Sequence, residues 1–101
     1  MYAREVTIKG DPARMDDVVR TQREVVVPAL RDCEGFVAQL VLLDRTAGQV
    51  IGMSIWDSED HMLASEERIR PARQQVAQAL RAFSAPDVRI YELAIFDQGG
   101  E

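Results

Sequence analysis

From Met15 onward, apolar residues recur every three or four positions, at Met15, Val18, Val19, Val26, Ala29, Leu30 and Cys33. That spacing marks one buried stripe of a long helix, on which Gln22 is the single polar residue. Asp11 can cap the helix, and Pro12 suits a first-turn position whose N–H would have no partner anyway. Pro28 removes one backbone donor directly after the β-branched run Val25-Val26-Val27, so a kink or a new turn is expected there. Gly35 is placed to end the helix in a left-handed conformation.

Elsewhere the pattern is that of strands. Residues 2–9 have the length and β-branched content of a first strand. Residues 36–43 form a second with almost no alternation, Asp44-Arg45-Thr46-Ala47-Gly48 supply a hairpin loop, and residues 49–56 return as a third. A second helix begins near Ser58, with a stripe through Met62, Ile69, Val76, Leu80 and Phe83, and Pro71 is expected to kink it. Residues 85–87 form a turn, residues 88–96 a last strand, and residues 97–101 a mobile tail. The order β-α-β-β-α-β predicts a ferredoxin-like α+β fold, with both helices on one face of an antiparallel sheet.

A sheet with one solvated face alternates strictly between apolar and polar positions. Here Val37, Val41 and Leu43 are set against Phe36, Ala38, Leu40 and Leu42, and Leu93 and Ile95 against Ala94 and Phe96. Both faces therefore require cover. At about 25 cal/mol per Å² of exposed apolar surface, face-to-face packing of two sheets in a homodimer is the expected solution.

Composition narrows the function classes. A chain of 101 residues predicts a single domain spanning 1–101. The net charge of −5, with no basic cluster, argues against nucleic acid as a partner. No window approaches a membrane span, no leader pattern precedes the first strand, and the lone Cys33 suits a reducing compartment, so a cytoplasmic protein is expected. One histidine and one cysteine make no metal site. Hydrolase, phosphate-loop and dinucleotide fingerprints are absent.

The chain resembles the antibiotic biosynthesis monooxygenase-like (ABM) branch of the dimeric α/β-barrel superfamily. The resemblance rests on Val25-Val26-Val27-Pro28-Ala29-Leu30, Gly35-Phe36, Leu43-Asp44-Arg45 with Gly48, Trp56-Asp57-Ser58-Glu59, and Ala64-Ser65-Glu66. It implies a dimeric barrel and, among the activities of such proteins, oxidation of a small aromatic molecule by oxygen without metal or flavin. In the haem-degrading members a first-strand asparagine, the junction tryptophan and a histidine about ten residues on act together. Trp56 matches the second. The chain has no asparagine, and Glu66 stands at the histidine position, so haem degradation is not expected and no cofactor is implied. The quinone-forming members use the same first-strand asparagine, and this chain departs from them there too.

The candidate residues follow. Trp56, where the third strand meets the second helix, either walls a pocket for a flat aromatic ligand or plugs the core. Met53, Met62, Phe83 and Tyr91, with the apolar stripe of the first helix, are the other expected substrate-binding residues. His61, the only side chain that ordinarily titrates near neutrality, and Glu5 and Glu92, carboxylates on the paired first and last strands, are the candidate catalytic bases. Each has a structural alternative: a solvated helix start for His61, and solvent exposure or pairing with Arg4 or Arg89 for the glutamates. Cys33 is expected to be buried and inert. Two functions stay open: a cofactor-independent oxygenase, and a non-catalytic small-molecule-binding or dimeric assembly module.

Overall fold

The structure, a computed structural model, describes residues 1–100. Strand β1 (Tyr2–Lys9) lies between β3 (Gln49–Trp56) and β4 (Asp87–Glu92), while β2 (Phe36–Asp44) forms the other edge beside β3. All three pairings are antiparallel. A 3₁₀ turn (Pro12–Arg14), α1 (Met15–Thr21), a π turn (Gln22–Val26) and α2 (Val27–Arg31) connect β1 to β2; α3 (Glu59–Ala64) and α4 (Glu66–Leu80) connect β3 to β4. This is the ferredoxin-like α+β order that the pattern predicts. Trp56, Met15, Leu30, Met62 and Leu80 are fully buried between helices and sheet. Among the described residues, no helix is long and apolar enough to cross a membrane.

Local chemistry explains the element ends. Asp11 accepts a hydrogen bond from the Ala13 N–H at 2.9 Å, and Ser58 accepts one from the His61 N–H at 3.2 Å, so each of the two helical connections opens on a side-chain cap. Gly35 turns the chain at φ +83°, as expected. A Cβ there would also overlap Asp57 and His61, so glycine is required twice over.

A new turn starts at Pro28, one of the two outcomes expected there. The turn before the proline widens into a π turn, because Pro28 offers no N–H to the preceding turn and three valines crowd it. The second helix continues through Pro71 and has in addition a break at Ser65. Pro71 and Glu67, whose carbonyl the proline leaves without a donor, are both exposed. At Ser65, by contrast, Arg4 draws the Met62 carbonyl and the Ser65 hydroxyl toward itself, at 3.2 and 3.0 Å. The last strand ends at Glu92 rather than residue 96, since Tyr2, its partner there, is where β1 begins. One further bond, from the Leu93 N–H to the Met1 carbonyl at 2.8 Å, closes the ladder. Residues 93–100 are irregular, and Glu101, the end of the expected tail, lies outside the described residues.

Alternation divides the sheet into two faces. Arg4, Val6 and Ile8 of β1 face the helices, and Ala3, Glu5 and Thr7 face away. A bulge at Val37 shifts the start of β2 by one residue. Phe36 thereby joins Val41 and Leu43 on the helix side, rather than Ala38, Leu40 and Leu42 as a regular strand would have it. Its ring meets Trp56 edge-on, with centroids 5.7 Å apart. The outer face keeps Leu40, Leu42 and Tyr91 exposed, and Val88 and Ile90 on β4 are exposed as well.

Candidate functional site

Between the helices and the inner face of the sheet lies a cleft with about 430 Å³ of unfilled space, part of it open solvent. The cavity within it is about 40 Å³, room for a few waters. Its walls are mainly aliphatic: Val6, Ile8 and Val50 from the sheet, Val26, Leu30, Ile69 and Val76 from the helices. Arg4, Gln22, Gln39, Ser54 and Arg73 interrupt this lining with polar groups.

The arginines reach the cleft through the two periodicities of the chain. Arg4 takes an inward position of β1, in line with Val6 and Ile8. Arg73 takes the i+4 position after Ile69 on the buried stripe of α4. Glu66, on the same helix, receives both terminal nitrogens of Arg73 at 2.9 Å, Arg4 Nη1 at 3.3 Å and Arg70 Nε at 3.4 Å. The Arg73 hydrogen bonds hold the Glu66 carboxyl below its ordinary pKa, against the opposing effect of burial, and the charges of Arg73 and Arg4 add to the shift. Burial and the nearby Arg73 lower the pKa of Arg4, while Glu66 acts the other way. Arg4 itself is only 3% exposed, and its guanidinium stacks 5.5 Å from the centre of the Trp56 ring.

Buried polar atoms ordinarily find partners. Among the described residues three buried side-chain atoms have none: Gln22 Oε1, Gln39 Oε1 and Arg73 Nε. All three residues line this cleft. The two glutamines meet above Gly52, where a Cβ would lie 3.2 Å from Gln39 Nε2 and 3.9 Å from Gln22 Nε2. A side chain on that residue would press on the Gln39 amide and touch that of Gln22, so glycine in mid-strand keeps this end of the cleft open.

The expected stripe of the first helix reaches the cleft at Gln22, Val26 and Leu30, while the other residues singled out from sequence lie elsewhere. Trp56 has no exposed surface: it packs the helix–sheet seam, with its indole N–H donating to Ser54 Oγ at 2.9 Å. Met62 is likewise fully buried. Glu5, Met53 and Tyr91 stand on outward positions, Glu5 opposite Met53 and Arg89 on its two neighbouring strands. Glu92 is exposed at the end of β4. Phe83 is 76% exposed because α4 stops at Leu80, with Arg81 in the left-handed region, so the expected helical stripe never reaches it.

His61 lies on the first turn of α3, its Nδ1 2.7 Å from Asp57 and its Nε2 3.6 Å from Glu34. The Asp57 hydrogen bond raises its pKa and outweighs burial, which favours the charged ring over a free base. Cys33 is half-buried, and burial pushes its thiol pKa up.

The polar cleft residues and Gly52 carry only weak sequence signals, each an isolated exception to its local pattern. Gln22 was the one polar residue on an apolar stripe, Gln39 the polar residue within residues 36–43, and Gly52 the glycine inside a strand. Together those anomalies outline the cleft.

No family model matches the chain. It is 39% identical over 77 residues to the uncharacterized protein Rv2558 of Mycobacterium tuberculosis, covering 76% of this chain and 33% of that protein. The chain thus spans about a third of that relative's length. Among solved structures it is similar to an antibiotic biosynthesis monooxygenase, with a TM-score of 0.70, 14% identity, and coverage of 94% of this chain and 100% of that one. It is also similar to a monooxygenase of Streptomyces coelicolor in complex with nanaomycin D, with a TM-score of 0.69, 19% identity, and coverage of 96% and 92%. The chain has the ABM-type fold.

Proposed function

We propose that this ABM-type domain works as a homodimer that binds a small, largely apolar molecule in the cleft between sheet and helices. One observation carries this reading. The three buried polar atoms without partners all belong to residues that line a single, mostly aliphatic cleft. Buried polar groups are costly without partners, and a ligand in this cleft would supply them. Dimerisation through the outer sheet face is supported by exposed Leu40, Leu42 and Tyr91, whose burial would be favourable. Titration calorimetry with small aromatic probes tests the ligand site; absence of binding by every probe would refute it. Sedimentation at micromolar concentration tests the dimer, and a monomer there would refute that part.

A second reading, cofactor-independent oxygenation, is favoured by Arg4 and Arg73. Two guanidinium groups beside an apolar cleft would stabilise the substrate anion that reduces oxygen. Glu66 is a poor base for this chemistry, because its three arginine partners hold it ionised and occupied. The arginines would instead act by lowering the pKa of a bound phenol. Oxygen uptake with polyphenols, lost in Arg73→Gln, would support catalysis. Binding without uptake leaves the non-catalytic reading.

A further inference from the structure

Arg4, Arg73 and Glu66 together leave one positive charge at the wall of a low-dielectric cleft, and Arg70 meets Glu66 from the exposed side. An anion would neutralise that excess. Arg73 turns both terminal nitrogens toward Glu66, and its buried Nε–H, which has no partner, can donate to one oxygen of a carboxylate. A carboxylate alone does not satisfy the rest of the cleft. The two glutamine Oε1 atoms are acceptors, and the single O–H of a hydroxyl can donate to one of them. The amide nitrogens of the same glutamines, converging over Gly52, can donate back to that hydroxyl. Exchanging O and N in either amide leaves the same mixed donor–acceptor pattern. The remaining lining is aliphatic, which suits an apolar body and disfavours a strongly hydrated phosphate.

We infer that the cleft takes a compact monocarboxylate with an apolar body and at least one hydroxyl group. The inference rests on the cleft being the ligand site, and it adds the polar pattern of the molecule that site selects. Arg73 reads the carboxylate, with Arg4 adding to the field. Gln22 and Gln39 read the hydroxyl, and Gly52 keeps their approach clear. The cavity of about 40 Å³ is smaller than one ring, so the apolar body must extend from it into the open part of the cleft.

Four probes separate the parts of this claim: 3-hydroxybenzoate, its methyl ester, benzoate and 3-methylphenol, each titrated calorimetrically into the full chain. Binding of 3-hydroxybenzoate is expected to be at least tenfold tighter than that of any other probe. Gln22→Leu should erase its preference over benzoate, and Arg73→Lys its preference over the methyl ester. Gln22→Leu removes an unpaired buried group, so it should fold at least as well as the parent and keeps the test decisive if Arg73→Lys is unstable. Equal affinity for all four probes, or preferences unchanged by either substitution, overturns the inference. If 3-methylphenol binds and neither carboxylate does, the inference fails while the ligand-site reading stands. If no probe binds, both fail.

Discussion

The Arg4 guanidinium rests 5.5 Å above the Trp56 indole, so the charged end of the cleft is built on the one tryptophan of the chain. Trp56 is therefore a platform beneath the site and not part of its wall. Its removal should act on stability and on Arg4 together. Trp56→Ala is expected to cost about 3–5 kcal/mol, measured by urea unfolding, since it empties a fully buried position.

Gln22→Leu should move stability the other way. The parent buries an amide oxygen without a partner, and a leucine of similar volume removes that penalty. A gain of about 1 kcal/mol in unfolding free energy is expected. A loss of stability would mean that Gln22 has an unrecognised structural partner.

Glu66 gives an acid dependence with a definite sign. Its folded pKa lies below the ordinary 4.5, so its ion pairs stabilise the fold above that value and lose their effect as pH falls through the lower folded pKa. Glu66→Gln should cost about 2 kcal/mol at pH 7, between the values for exposed and buried pairs. The gap between parent and variant should narrow steadily below pH 4.5 in unfolding curves taken across the acid range. A pH-independent gap would sink this account.

His61 has the opposite sign. Its pKa is raised above 6.5, chiefly by the Asp57 hydrogen bond, so its contribution is complete below 6.5 and is lost as pH rises through the higher folded value. A ring-proton titration by NMR should place the His61 midpoint above 6.5, and Asp57→Asn should bring it down. No change in Asp57→Asn would assign the shift to Glu34 or Asp60 instead.

Much of the fold was legible because local rules and global packing agree. The caps at Asp11 and Ser58, the left-handed Gly35 and the strand lengths of β1, β2 and β3 follow from backbone chemistry that needs no knowledge of neighbours. Other features depend on distant partners. Arg4 binds the second helix where it breaks at Ser65, fifty-eight to sixty-two residues away in the chain. The length of β4 was decided by where β1 begins.

The candidate site was legible only as anomalies. Chemical reactivity pointed to His61, Glu5, Glu92 and Trp56, yet reactivity says nothing of direction. Strand alternation turned Glu5 outward and Arg4 inward, one residue apart. The pattern of the chain alone determined a ferredoxin-like sheet with helices on one side and an unusually apolar second face, because periodicity and turn residues encode those features locally. Only the tertiary structure brought Gln22, Gln39 and Arg73 to one cleft. A polar side chain is costly when buried alone, and which distant groups share its burial depends on packing that no local pattern contains.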